Sequence, residues 1–274
     1  MRFLEVVVVL LSWVFILSIA IPESRRRGPA ALLLIIILLT LLHLFVESYR
    51  WQMLPLYALL GFGAFMKNRQ VAMGSTLGLI LLWIIAFLLP ILIPIVKLPV
   101  PTGAFNVGTV LYHWTDSSRA EWFTDDPDDL REVPVQLWYP ANAEDKADPA
   151  PYIDHIDLRA GAIGERVGLP AFMLGHLNLI NTHAATNASV QDGDFPLIIF
   201  SHGLGGMRAQ NTALMEELTS HGYIVVAMDH PFDANTTVFP TIDGKDSPRV
   251  ADYRSAILEE TADSVWLEIR NRQL

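Results

Sequence analysis

Residues 195–231, "FPLIIFSHGLGGMRAQNTALMEELTSHGYIVVAMDHP", hold two apolar runs separated by a glycine-rich loop and a mixed segment. Uninterrupted apolar runs such as "PLIIF" and "YIVVAMD" are typical of strands buried on both faces of a parallel sheet. Between them, residues 208–220 place Ala213, Leu214 and Leu218 at helical spacing. Strand, helix and strand in this order predict a βαβ unit with a right-handed crossover, and therefore an α/β fold.

The chain around this unit supplies further elements of the same sheet. Residues 107–116 ("VGTVLYHWTD") and 133–141 ("VPVQLWYPA") predict two strands of a meander. Residues 142–192 predict a loop-rich excursion with one short helix around Pro170 to Ile180. Residues 248–274 predict another helix, after which the next buried strand of the sheet is expected. We therefore expect strand 223–229 to be an apolar, unpaired sheet edge.

The first 98 residues are of a different kind, because they consist mainly of long apolar runs. Four transmembrane helices are predicted, since each run approaches the 20 residues that cross a bilayer: Leu4–Ile21, Gly28–Val46, Trp51–Met66 and Val71–Val96. The third run is short enough to be re-entrant instead, and a cleaved signal peptide is the alternative for the first. The ionisable residues inside the runs, Glu5 and His43, lie near run ends, where snorkelling is the expected behaviour. We therefore predict an anchor rather than a transporter.

Basic residues in the loops predict the orientation of this anchor. Arg25, Arg26 and Arg27 follow the first run, and Lys67 and Arg69 follow the third. With four helices these loops lie on one side, which the positive-inside rule makes cytoplasmic. The sequence thus predicts a multi-pass protein of the cell membrane, with residues 99–274 on the extracytoplasmic side.

Composition excludes several classes of function. The 274 residues carry a net charge of −10, which gives no support to nucleic-acid binding. The absence of cysteine removes disulfides, thiol catalysis and zinc–thiolate sites. A metal site formed by His202, Asp229 and His230 is conceivable but lacks the usual ligand spacing. We expect neither a metal nor a cofactor.

The glycines of residues 201–206 ("SHGLGG") lie where a strand of an α/β sheet ends, which is the edge at which ligands bind. Without a Cβ, the backbone N–H groups of such a loop can approach a reacting atom. A phosphate cradle is one possible use, but the spacing fits neither a dinucleotide fingerprint nor a P-loop. The other use is an oxyanion hole, which binds the negative oxygen formed during ester cleavage.

"FSHGLGG" followed by "LTSHGYIVVAMDHP" resembles the α/β-hydrolases related to platelet-activating-factor acetylhydrolase and the dienelactone hydrolases. The resemblance extends upstream to "PTGAFNVGT", "WTDSSRAE" and "REVPVQLWYPA", and so covers roughly residues 100–274. It implies that Leu204 supplies an oxyanion-hole N–H whose backbone is set by Gly203 and Gly205. His202 belongs to the same motif, and we interpret it as a loop histidine bonded to a neighbouring backbone group rather than as the base.

The rest of the family pattern is missing from the sequence. A G-x-S-x-G nucleophile elbow, followed by an acid and a histidine, completes such sites, and no G-x-S-x-G occurs in these 274 residues. We therefore expect a membrane domain at 1–98 and, at 99–274, the N-terminal part of an α/β-hydrolase sheet truncated before the elbow. The resemblance implies a serine hydrolase of carboxylic esters, lipid esters among them, and the apolar runs predict that it is membrane-anchored. We expect this segment alone to be inactive. The alternative is an inactive membrane-bound protein that uses a hydrolase-like domain for binding or scaffolding.

Overall fold

A computed structural model describes residues 1–21, 29–66, 73–121, 123–126, 128–142, 148–239 and 249–253. The chain divides into two compact units, Met1–Val96 and Lys97–Leu274. The first unit is helical, and the second has a mixed α/β fold built on a six-stranded sheet. Of the helix predicted for residues 248–274, residues 249–253 are described, and Arg249–Asp252 form a strand instead, because they pair antiparallel with Thr236–Phe239. The rest of that prediction lies outside the described residues.

The first unit contains four apolar helices: α1 (Phe3–Ala20), α2 (Pro29–Val46), α3 (Leu54–Met66) and α4 (Met73–Leu92). By length and composition, α1, α2 and α4 can cross a membrane, whereas the apolar helix over Trp51–Met66 is shorter. Leucine, isoleucine and phenylalanine side chains fill the space between the helices, and many others face outward. Apolar side chains on both the inner and the outer surface are what a bilayer environment requires.

Glu5 and His43 are completely buried between the helices, so the prediction that they snorkel is wrong. The Glu5 carboxylate accepts hydrogen bonds from Nε and Nη2 of Arg50 at 2.7 and 2.5 Å. His43 contacts a carboxylate oxygen of Glu47 through Nδ1 at 2.9 Å and the Tyr57 hydroxyl through Nε2 at 3.0 Å. Each ionisable group has found a partner inside the unit because an unpaired charge there would be costly. We call these five residues the polar cluster.

The second unit contains β1 (Asn106–Ala120), β2 (Leu130–Ala141), β3 (Pro149–Pro151), β4 (Asn181–Thr186), β5 (Leu197–Ser201) and β6 (Ile224–Met228). They form one sheet in the order β3-β4-β1-β2-β6-β5. The strands β1 and β2 are antiparallel, as a meander requires, and β5 and β6 are parallel neighbours joined by α6 (Thr212–Ser220). A separate pair, β7 (Thr236–Phe239) and β8 (Arg249–Asp252), is antiparallel.

The core of the second unit lies between the sheet and α6. Trp138 of β2 is 1% exposed and shares a cluster with Val225 and Ala227 of β6 and with Met215 of α6. On the opposite face of β5, Leu197 and Ile199 are 59% and 65% exposed. Only one face of this strand is therefore packed by the described residues.

The expectation that residues 223–229 form an unpaired edge is wrong. Strand β6 lies between two neighbours, because it pairs with β5 on one side and antiparallel with β2 on the other. Within the described part of the chain, the open edge belongs to β5, whose recorded partner is β6. Sheet order depends on which distant strands meet, and an apolar run does not contain that information.

The excursion at residues 142–192 is more regular than the sequence predicts. It contains β3, β4 and a 12-residue helix, α5 (Ile156–Val167), which ends at Gly168 with φ +71°. The short helix predicted around Pro170 to Ile180 is present as a 3-10 helix, Ala171–Leu179. The sequence of α5 contains two glycines, Gly161 and Gly164, which weaken a helical pattern.

Glu216 of α6 connects this helix to β4. Its side chain is fully buried, and Oε1 accepts the backbone N–H groups of His183 and Ala184 at 2.7 and 2.9 Å. Its other oxygen, Oε2, has no hydrogen-bond partner among the described residues. Burial raises the pKa of Glu216 above its usual value, although the two N–H groups oppose this shift.

We expect Glu216→Gln to remove a pH dependence of stability. Because its pKa is raised by folding, Glu216 contributes stability that is complete below pH 4.5, its ordinary pKa, and is lost as the pH rises through the folded-state pKa. Glutamine keeps an oxygen for the two N–H groups but does not titrate. Urea unfolding of the full-length protein in detergent, repeated between pH 4 and 8, measures the effect.

Glu217→Gln is the matched control. The neighbouring Glu217 is exposed, and its pKa is shifted in the opposite direction to that of Glu216. Hydrogen bonds from Thr102 lower the pKa of Glu217, so its contribution is lost as the pH falls. An unchanged pH slope in Glu216→Gln would contradict the assignment.

Candidate active site

The glycine loop leaves β5 at Ser201 and forms a four-residue turn, Gly203–Gly206. The Gly206 N–H donates to the Gly203 carbonyl at 2.8 Å, and Gly205 at the third position has φ +66°. This is the pattern of a type II turn, which favours glycine at that position. The Gly205 N–H is bonded to the Asp233 carbonyl at 2.8 Å, so the turn is tied to the segment that follows β6.

Leu204 occupies the second position of the turn, and its N–H donates to none of the described residues. Its side chain is 51% exposed, so the residue lies at the surface. A free N–H at the carboxyl end of a parallel strand, on a backbone fixed by two hydrogen bonds, is the donor that an oxyanion hole requires. The geometry is therefore compatible with the role that the sequence predicts for Leu204, Gly203 and Gly205.

His202 has both ring nitrogens in hydrogen bonds to backbone groups. Its Nε2 accepts the His230 N–H at 3.0 Å, so Nδ1 must carry the proton, which it donates to the Gly203 carbonyl at 2.8 Å. The side chain thereby joins the glycine loop to the end of β6. A histidine held in this way has no free nitrogen with which to accept a proton from a nucleophile.

Ser201 and His230 form a pair that the sequence analysis did not find. The Ser201 hydroxyl lies 2.7 Å from Nε2 of His230. Burial, together with the nearby His202, lowers the pKa of His230 to about 4. A base with so low a pKa is weak at neutral pH, and we therefore assign the pair to holding the end of β5 rather than to catalysis.

A buried network of two arginines and two aspartates lies beside the loop. Asp229 accepts the backbone N–H of Arg208 at 2.6 Å and also binds the guanidinium of Arg208. It accepts a further hydrogen bond from Arg159 at 3.3 Å, and Asp154 binds both arginines at 3.2 and 2.7 Å. We call these four residues the arginine–aspartate network.

The arginine–aspartate network is balanced in charge and shielded from water. Both arginines are 1% exposed and Asp229 is 0% exposed. Burial alone would raise the pKa of Asp154, but Arg208 and Arg159 hold it below its usual value. The Asp229 carboxylate and both ring nitrogens of His202 thus bind protein groups.

The second unit has a mixed α/β fold with a glycine loop at the carboxyl end of β5, and comparison with known proteins identifies the family. A model described as "Platelet-activating factor acetylhydrolase, isoform II" matches residues 92–274, which is more than half of the chain. The chain belongs to this family, as the resemblance of its glycine loop indicates.

Curated relatives agree with this assignment. The chain is 31% identical over 145 residues to a platelet-activating factor acetylhydrolase from Cavia porcellus, covering 51% of this chain and 32% of the relative. It is 34% identical over 141 residues to the protein of the same name from Canis lupus familiaris, covering 49% and 28%. The chain thus spans about a third of the length of the curated relatives it matches.

Among solved structures, a ferulic acid esterase from Streptomyces cinnamoneus is similar to the chain. The TM-score is 0.49 with 27% identity, covering 65% of this chain and 46% of the esterase.

Proposed function

We propose that the protein is a membrane-anchored serine hydrolase that cleaves carboxylic esters, with lipid esters as the expected substrates. The observation that carries the proposal is the Leu204 N–H in the turn that follows β5, which has no acceptor among the described residues. In this mechanism a serine hydroxyl attacks the ester carbonyl while a histidine accepts its proton, and the acyl group moves to the serine as the alcohol leaves. The Leu204 N–H stabilises the oxyanion formed in that step, and water then releases the acid.

We further propose that the serine, the acid and the histidine follow Leu274, on the part of the sheet that adds to β5. Two observations support this. Strand β5 has an open edge within the described residues, and its outer side chains Leu197 and Ile199 are exposed. The chain passes from β5 to β6 in one direction across the sheet, and a strand added beyond β5 would be reached in the opposite direction. Its right-handed crossover would therefore pass on the face opposite α6, where these side chains lie.

The membrane anchor is the second part of the proposal. Three helices of the first unit are long and apolar enough to span a bilayer, and α3 would add a shorter fourth span. With four spans, the basic loops at 22–28 and 67–72 lie in the cytoplasm, and residues 99–274 face the extracytoplasmic side.

The direct test is to label native membranes with a fluorophosphonate probe, isolate the protein and measure its intact mass. A labelled species heavier than the 30.6 kDa of these 274 residues, with the probe on a serine beyond Leu274, is the expected result. An unlabelled species of 30.6 kDa would refute the hydrolase and favour a binding or scaffolding protein. Labelling within residues 1–274 would instead place the nucleophile in this segment.

A further inference from the structure

Arg166, in the last turn of α5, lies against the glycine loop. Its Nη2 donates to the Leu204 carbonyl at 3.3 Å. A Cβ at Gly205 would lie 2.2 Å from Nη1, so the guanidinium rests on the bare Cα of that glycine. The Tyr253 ring, 5.8 Å from the guanidinium carbon, adds a cation–π contact. Arg166 is therefore held at the same residue whose N–H is free.

Arg166 differs from the other arginines around the loop in having no carboxylate partner among the described residues. Arg159 and Arg208 are buried and paired with Asp154 and Asp229 in the arginine–aspartate network. Arg166 is exposed and forms no salt bridge with any carboxylate that the structure describes. The loop thus carries a guanidinium that no described carboxylate pairs with, in a chain whose net charge is −10.

The chemistry of this position favours an anion. A guanidinium presents five N–H donors in a planar fork that matches the oxygens of a phosphate or a carboxylate. Among the described residues, these donors make one hydrogen bond, to the Leu204 carbonyl. An exposed guanidinium that no described carboxylate pairs with is suited to bind an anion placed at the loop.

We propose that Arg166 is a specificity-determining residue that binds an anionic group, a phosphodiester or a carboxylate, next to the scissile ester of the substrate. The inference rests on the proposed function, because the Leu204 N–H is taken to receive the ester oxygen. Arg166 contacts the carbonyl of that same residue, with Nη2 at 3.3 Å from the oxygen. We therefore expect an anionic group bound to the guanidinium to lie near the ester.

The test uses three acetyl esters of matched length that carry a phosphodiester, a carboxylate or a neutral hydroxyl near the ester. The full-length protein in detergent should prefer an anionic ester, and Arg166→Gln should lower the anionic-to-neutral ratio of kcat/KM by about tenfold or more. Arg166→Lys keeps the charge but not the fork, so it should restore the ratio in part. Arg119→Gln, on β1, is the control and should leave the ratio unchanged. Comparing the phosphodiester ester with the carboxylate ester shows which of the two anionic groups Arg166 binds better.

A purely structural role for Arg166 would give a different result. If Arg166→Gln lowered kcat/KM equally for all three esters, the residue would only brace the loop, and the specificity proposal would be overturned. An unchanged ratio would overturn it as well.

Binding of non-hydrolysable ether analogues, measured by calorimetry, separates this inference from the proposed function. Binding of an anionic analogue that Arg166→Gln weakens about tenfold supports the inference even if no ester is hydrolysed. If the protein hydrolyses esters but Arg166→Gln does not change the affinity for the anionic analogue, the proposed function is supported and the inference is overturned.

Discussion

Replacing Leu204 by proline is expected to lower kcat of the full-length enzyme by about 100- to 1,000-fold, which corresponds to roughly 3–4 kcal/mol of transition-state stabilisation. Proline lacks the N–H that would face the oxyanion. The second position of a type II turn suits proline, so the Gly203–Gly206 turn should keep its shape. Because the loss arises in the transition state, KM should change little.

Leu204→Ala is the matched control, since it removes the exposed side chain and keeps the N–H. We expect its kcat to stay within about threefold of the wild type, measured with the same short-chain ester. Equal losses in the alanine and proline variants would assign the effect to the side chain, and full activity in Leu204→Pro would remove Leu204 from the oxyanion hole.

Replacing Asp229 by alanine is expected to destabilise the second unit by about 3–5 kcal/mol. The substitution leaves Arg208 and Arg159, each 1% exposed, with one carboxylate instead of two, and it removes the acceptor of the Arg208 N–H. Because the desolvated charges remain while their attraction is lost, the cost exceeds that of an ordinary hydrogen bond. Urea unfolding of the full-length protein in detergent, followed by pulse proteolysis, measures the change.

Two variants sharpen this measurement. Asp229→Asn keeps the shape and one acceptor oxygen, and should fall between alanine and wild type. Asp252→Ala, at an exposed position on β8, should change stability by no more than about 0.5 kcal/mol. A loss below about 1 kcal/mol in Asp229→Ala would show that water enters and solvates the two arginines.

The parts of the fold that the sequence predicted are those that depend on local pattern. The strands β5 and β6 and the helix between them follow from two continuous apolar runs and a helical repeat. The position of β6 in the sheet cannot be predicted from local pattern. Its second neighbour, β2, is distant in the chain, and only tertiary pairing brings the two strands together. Helix α5 was missed since its glycines obscure the repeat.

For the candidate site, the glycine loop was predictable because its residue types are dictated by backbone geometry. The Ser201–His230 pair and the arginine–aspartate network were not, since each joins residues from separate elements. Asp229 illustrates the difficulty: the sequence shows only that it ends a strand, whereas in the structure its oxygens are bonded to arginines. Glu5 was misjudged for the same reason, because Arg50 lies outside every apolar run.

The pairing of Glu5 with Arg50 has a consequence for biogenesis. Glu5 lies on α1, and Arg50 follows it by 45 residues. At about 5–20 residues per second, the ribosome needs about 2–9 seconds to deliver the partner. During that interval Arg2, whose Nη2 lies 2.8 Å from Oε1 of Glu5, is the nearest basic partner of the carboxylate. If α1 spans the membrane as proposed, its carboxylate is first paired with Arg2, and the fully buried pair with Arg50 forms only after α2 and the segment that follows it have been added.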